Sequence, residues 1–411
     1  MRKIIFLTIA FVAVSFFLPR CATKRTEGKK EKDLQSWVTT WSTSQQLVEP
    51  GNMPPAPGLT NNTLRQIVRV SIGGDQLRLR FSNIFSKEPV TFKSAAIAVS
   101  RESSIIDTVT QKMLTFAGKN SVTMQAGSEI YSDPLTFHLV PGSRLAITIH
   151  FGETSPTVTG HPGSRTTSFI LEGDKTLSGN FAGAAETDHW YMIQSIDVKA
   201  PSEAAAIVAL GNSITDGRGS GTNNQNRWTD ILSERLLDNP QTKHYSVLNA
   251  GIGGNCVLRG GLGPTALDRF DRDVLSQSGV RWLIILEGIN DIGGIRDQES
   301  APRVAQELID AYTLMIEKAH AHGIKVYGGT ILPFAKSFYD APFHQEARDI
   351  VNEWIRSSGK FDAVIDFDKA MRSPDDLKTI LPDVHSGDFL HPNEAGYKKM
   401  GEFIDLGLFT L

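Results

Sequence analysis

Four short stretches hold residue types that together can carry out acyl transfer. The first is an apolar run that stops at Gly211-Asn212-Ser213-Ile214-Thr215-Asp216-Gly217. A serine hydroxyl is a weak nucleophile, so it needs a base to take its proton and donors to hold the oxyanion that its attack creates. Asp388-Phe389-Leu390-His391 offers the base: a carboxylate three residues before an imidazole on a tight turn can accept the Nδ1 proton and leave Nε2 free. Donors come from two places. The glycines of Asn249-Ala250-Gly251-Ile252-Gly253-Gly254-Asn255 leave backbone N–H groups approachable, and Glu287-Gly288-Ile289-Asn290-Asp291 can present the Asn290 amide. Taken singly, each stretch also reads as an ordinary polar turn, because Gly, Asn and Asp are common turn residues.

Two rival chemistries use neighbouring residues. His385, Asp388 and His391 are three possible metal ligands, but their spacing fits no zinc signature, and a metal there would leave the serine, glycine and asparagine stretches without a role. Neither a metal nor a cofactor is therefore expected. Cys256 directly follows the glycine stretch without a base beside it in sequence, which favours a free structural thiol over a nucleophile.

The elements that must position these groups alternate between strand and helix. Short apolar runs at residues 204–210, 245–248, 280–286, 325–327 and 363–365 read as buried parallel strands. Helical patterns follow at 227–237, 265–274, 301–322, 343–355 and from 394; in the longest, Val304, Leu308, Ala311, Met315 and Ala319 share one face. Such alternation predicts a three-layer α/β domain over residues 201–411, with its site beyond the carboxyl ends of the strands. The loop after the fourth strand carries Phe334, Phe338, Tyr339 and Phe343 on that side. It can stack a sugar, hold an acyl or aryl group, or simply pack.

Residues 36–200 follow a different grammar. Leu77, Leu79 and Phe81 alternate with Arg78 and Arg80, and Leu145, Ile147, Ile149 and Phe151 alternate likewise. Further β-rich runs occupy 90–99 and 135–140, and Gly73-Gly74 between 66–72 and 76–81 signals a hairpin. Many short strands predict an antiparallel, jelly-roll-like β-sandwich. Trp37, Trp41 and Trp190 are either sugar-stacking groups or core packing. The boundary between the halves falls at Lys199-Ala200-Pro201-Ser202.

The 411 residues include 42 Lys+Arg against 45 Asp+Glu, a net charge of −3 that leaves no electrostatic footprint for nucleic acid. Residues 1–20 read as an export signal: Arg2 and Lys3, an apolar stretch over 4–18, then Pro19-Arg20-Cys21. A flexible linker is expected over 21–35. Cys21 resembles the lipid-bearing cysteine of a bacterial lipoprotein, but Arg20 replaces the usual small residue, so lipidation, ordinary cleavage and an uncleaved anchor are all open; the expected place is the periplasm or the outer membrane and cell surface, with a lipid anchor at Cys21 as the only membrane contact. After cleavage Cys256 has no partner, so no disulfide holds the fold.

In their order, the four stretches resemble the SGNH or GDSL hydrolase superfamily, over roughly residues 204–411. The resemblance implies a three-layer SGNH-type domain with Ser213 as nucleophile, His391 as base and Asp388 as its orienting carboxylate. It also implies an oxyanion hole from the Ser213 and Gly254 N–H groups and the Asn290 amide. Asn212 stands where the commoner first block has Asp, and the second glycine of a Gly-x-Ser-x-Gly elbow is missing, which argues against an ordinary α/β-hydrolase lipase. With its β-rich first half, the chain is also similar to exported bacterial acetylesterases found beside xylan-degrading enzymes, partly through Thr63-Leu64-Arg65-Gln66-Ile67-Val68-Arg69. That implies an acylated carbohydrate or small ester substrate, with Asn255, Phe334, Phe338 and Tyr339 as candidate binding residues. A short-chain arylesterase or lysophospholipase is the variant. A surface glycan-binding protein that has lost activity is the reading from a different class.

Overall fold

The computed structural model describes Met1 and residues 35–410. The expected leader beyond Met1, Cys21 and the linker up to residue 34 lie outside the described residues. No helix among the described residues is long and apolar enough to cross a membrane.

A five-stranded parallel sheet organises the second half, in the order Tyr245–Gly251, Ala205–Gly211, Val280–Leu286, Lys325–Gly329, Ala363–Ile365. The first strand in sequence therefore lies between the second and the third. Loops leaving the first and third strands diverge at such a point and open a crevice, the usual ligand position in open α/β sheets. Every residue of Ala205–Gly211 is buried, which explains its unbroken apolar run. Val208 and Leu210 face the layer that includes Ser300–Ala321 and Pro342–Ser357, while Ile207 and Ala209 face Trp228–Asp238 and Glu394–Phe403. Burying each Val, Leu or Ile there stabilises by roughly 1.5–3 kcal/mol. The predicted helix at 265–274 is instead the short helix Ala266–Phe270 followed by a π turn, Asp271–Leu275.

The first half is a set of antiparallel sheets. One has the order Gln35–Ser42, Ile193–Pro201, Gly74–Ser82, Glu129–Tyr131, with Leu135–Leu139 also on Gly74–Ser82. The other centres on Asn62–Arg69, Arg144–Phe151 and Val90–Val99. The expected hairpin at Gly73-Gly74 does not form: Asn62–Arg69 and Gly74–Ser82 belong to different sheets, and the chain crosses between them. A type I′ turn needs positive φ at both central residues, and neither glycine has it. These glycines instead let other strands come close. A Cβ on Gly73 would lie 2.1 Å from the Leu139 carbonyl, and one on Gly74 would lie 2.6 Å from that of Lys199.

Two of the three tryptophans are removed from the sugar-stacking reading. Trp41 and Trp190 are buried edge to face at 5.0 Å, and the Trp190 indole donates to the Ile67 carbonyl. The half-buried Trp37 ring carries the Arg78 and Lys199 cations at 4.6 and 4.7 Å. Residues from Gln35 onward form one compact unit. A single apolar cluster runs from the sandwich interior to one face of the parallel sheet, and the Ser246 hydroxyl donates to the Thr39 carbonyl across the junction.

Candidate active site

The Ser213 turn follows the first parallel strand directly. Ser213–Asp216 is one helical turn, capped by Asn212, whose side-chain oxygen accepts the Ile214 N–H at 3.0 Å. The Asn212 amide donates to buried Glu287 at 3.2 Å.

The structure brings Ser213, His391 and Asp388 into one line although Ser213 and His391 are 178 residues apart. Ser213 Oγ lies 2.9 Å from His391 Nε2, and His391 Nδ1 lies 2.6 Å from Asp388 Oδ2. Asp388 Oδ1 accepts the backbone N–H groups of Leu390 and His391 at 3.0 and 2.9 Å, so the turn itself holds the carboxylate against the ring. Burial works to raise the Asp388 carboxyl, but the His391 ring and these N–H donors outweigh it and hold it at about 2. Burial pushes the His391 imidazole below the ordinary histidine value, Asp388 works against this, and Arg218 and Arg165 add to it. At neutral pH the ring is therefore an uncharged base.

Asn290 is oriented from both ends. Its amide nitrogen donates to the Asn255 carbonyl at 2.7 Å, and its oxygen accepts the Tyr339 hydroxyl at 3.0 Å. Among the described residues, the amide nitrogen meets no second protein acceptor. Gly293 makes room for this arrangement, since a Cβ there would come within 2.3 Å of the Tyr339 ring. Gly254 sits at φ +68°, and its carbonyl accepts from Leu262 N–H. Among the described residues, the N–H groups of Ser213 and Gly254 donate to no protein group. Gly254, Asn290 and Tyr339 line a cleft of about 580 Å³ that also takes in Arg259, Arg296 and Arg303.

Two predicted binding residues are corrected. The Asn255 side chain is buried and fully engaged: its amide donates to the Leu262 and Pro264 carbonyls, and its oxygen accepts from Arg269. Phe334 is also fully buried, in the core below the loop. Phe338 is exposed, and its ring lies 4.4 Å from that of Tyr339. His385 Nδ1 accepts the N–H groups of Gly387 and Phe389, which turns this imidazole into its own loop. Cys256 is buried, and burial, with Asp291 and Glu287 nearby, pushes its thiol up to about 12, far from a reactive thiolate.

The structure adds groups that sequence reasoning missed. Arg269, with no exposed side-chain surface, ties the strand ends under the serine: it donates to the Gly211 and Ala250 carbonyls and pairs with Asp273. Asp216 is buried and meets His161 of the sandwich at 2.9 Å. The only sequence signal for that pair was a charged residue one turn after the serine, at a place where burial demands a partner.

Residues 209–399 match the model of the GDSL-like lipase/acylhydrolase family. No curated protein matches the chain. Among solved structures the chain is similar to a lipolytic protein of the G-D-S-L family from Desulfitobacterium hafniense DCB-2, at 24% identity over 48% of this chain and 97% of that one, TM-score 0.37. It is also similar to a member of the lipolytic protein G-D-S-L family from Veillonella parvula DSM 2008, at 22% identity over 50% and 98%, TM-score 0.37. A third is an acetylxylan esterase from Geobacillus stearothermophilus, at 19% identity over 49% and 93%, TM-score 0.38. Over residues 209–399, somewhat less than half of its length, the chain is thus similar to the GDSL-like lipase/acylhydrolase family.

Proposed function

We propose that the protein is an exported serine esterase that removes short acyl groups, acetyl foremost, from polysaccharides or oligosaccharides. The reading rests above all on the Ser213–His391–Asp388 line, in which a hydroxyl, a neutral imidazole and an ionised carboxylate follow one another at 2.9 and 2.6 Å. Ser213 Oγ attacks the ester carbonyl as His391 Nε2 takes its proton. The carbonyl oxygen, now an oxyanion, accepts from the Ser213 and Gly254 N–H groups and the Asn290 amide. The tetrahedral intermediate collapses, and His391 returns the proton to the departing alcohol. Water then attacks the acyl-enzyme with the same imidazole as base, which frees the acid and restores Ser213.

The cleft beside Asn290 supports a polar substrate. Arg259, Arg296, Asp297, Ser300 and Arg303 line it beside Leu258, Ile295, Val304 and Tyr339, so that groups able to bind sugar hydroxyls stand next to apolar surface for a short acyl group. Purified protein offered acetylated polysaccharides, aryl acetates of increasing acyl length and lysophospholipids, with Ser213→Ala as control, tests this. Acetyl release from the polysaccharides that vanishes in the control is expected. Preference for lysophospholipid would overturn the substrate, and inactivity on the whole panel would overturn the esterase. Export through the leader and anchoring at Cys21 complete the reading. Recovery of the wild-type chain, but not of Cys21→Ser, in a lipid-labelled membrane fraction is the expected result.

Asn290→Ala is expected to lower kcat on the order of 10²- to 10³-fold, as for other oxyanion donors, with KM little changed. Normal turnover in that variant would remove Asn290 from the hole. The pH profile follows from His391, which must be neutral to accept a proton. Because burial lowers its pKa, kcat/KM is expected to fall on acidification with a midpoint below 6.5, and a midpoint above 7 would contradict the assignment.

A further inference from the structure

The β-rich first half reaches the Ser213 turn directly, through a third, three-stranded antiparallel sheet of Gln46–Leu47, Thr159–His161 and Trp190–Tyr191. His161, in the short strand Thr159–His161, is buried, with both ring nitrogens against acceptors: Nδ1 lies 2.8 Å from the Ser44 carbonyl and Nε2 lies 2.9 Å from Asp216 Oδ1. A carbonyl can only accept, so Nδ1 carries a proton. Four residues on, the Arg165 guanidinium donates to the Gly217 carbonyl at 3.0 Å and stands 3.7 Å from Asp216 Oδ2. Arg165 has φ +51°, a conformation uncommon outside glycine, which aims its side chain at this carbonyl. Between these two residues, Gly163 leaves room for the Asp216 carboxylate, since a Cβ there would lie 1.9 Å from Oδ2.

These contacts matter because of what they hold. Ser213–Asp216 is a single turn, and one helical turn is not stable by itself, because fixing its dihedrals costs more than its few hydrogen bonds return. The place of Ser213 Oγ and its N–H is therefore set by what grips the turn. The α/β half supplies the Asn212 cap, the Asn249 amide on the Thr215 carbonyl and the Arg227 guanidinium on the Asp216 carbonyl. The grip on the Asp216 side chain comes from the first half, whose Arg165 also shares the Gly217 carbonyl with the Ser220 N–H.

We infer that His161 is a positioning residue for Ser213: through its contact with Asp216, the sandwich completes the catalytic centre instead of acting as a separable binding module. The inference rests on the serine-esterase reading above. His161 touches neither substrate nor reacting atoms, and it acts through the turn that carries them.

The test uses the full-length protein, an aryl acetate for steady-state kinetics and a fluorophosphonate that labels an activated serine. His161→Asn keeps a donor near the Ser44 carbonyl and loses the one to Asp216, whereas His161→Gln keeps the donor to Asp216. In His161→Asn, kcat and the rate of Ser213 labelling are expected to fall together on the order of 10- to 100-fold, the cost of an ångström-scale misplacement, with KM little changed. His161→Gln is expected to recover most of that loss. Gly163→Ala, which pushes the Asp216 carboxylate from the sandwich side, should reproduce the His161→Asn pattern and carries the test if His161→Asn does not fold. Wild-type kcat and labelling rate in a folded His161→Asn protein would overturn the positioning role. So would a lower melting temperature with kcat unchanged below it, which is the pattern of a purely structural contact. Failure of the fluorophosphonate to label wild-type Ser213 would instead defeat the esterase reading itself, and the positioning role with it.

Discussion

Replacing Ser213 with alanine is expected to cost on the order of 10⁶-fold in kcat, leaving only what the oxyanion donors and binding supply above the reaction in water. The loss should be chemical and not structural. Among the described residues, the only hydrogen bond of the Ser213 side chain is the one to His391, and the turn is held through Asn212, Thr215, Asp216 and Gly217. The melting temperature should therefore stay close to wild type, and the variant should still bind substrate. Steady-state release of acetate, with a folded-state control, checks both halves. Turnover within a hundredfold of wild type would mean that another group makes the attack.

The second large effect is expected from Asp388→Asn, on the order of 10⁴-fold in kcat. The asparagine oxygen can still accept the N–H groups of Leu390 and His391, so the turn should survive. Its amide, however, would donate to His391 Nδ1 where the carboxylate accepted. That moves the imidazole proton to Nε2, which then points a hydrogen at Ser213 Oγ and cannot take one. The same variant identifies the group behind the acid limb. Asp388 is ionised throughout, being held at about 2, whereas burial raises Asp291 to about 6, close enough to compete with His391 as the titrating group. Removing the Asp388 charge takes away the attraction that works against desolvation of the imidazole, so a limb due to His391 shifts to lower pH in the residual activity. A limb due to Asp291 stays where it was. Measured kcat/KM between pH 4 and 8 in both proteins decides between them.

The parallel-sheet half was legible because each of its signals is local. An unbroken apolar run at 204–210 marks a strand buried on both faces, and the spacing of Val304, Leu308, Ala311, Met315 and Ala319 marks one helix face. The Asp388-to-His391 contact also closes within a single turn. The aromatic loop was only half legible: Phe334, Phe338 and Tyr339 are alike in sequence, but one is core, one is exposed and one orients Asn290. Hydrophobicity says that a ring seeks cover, not which neighbour provides it. Gly73-Gly74 misled for a related reason. Glycine serves tight turns and close strand approach equally well, and only the crossing strands decide which is needed.

By itself, then, the order of residues determined the strand–helix alternation, the crevice end of the sheet and the four stretches that gather there, since period, turn chemistry and short-range capping are properties of neighbours in the chain. Only the tertiary structure decided that Ser213 Oγ meets an imidazole 178 residues away and that His161, 55 residues before Asp216, braces the same turn. Contacts at such separations depend on how whole sheets stack, and no local pattern of side chains encodes them.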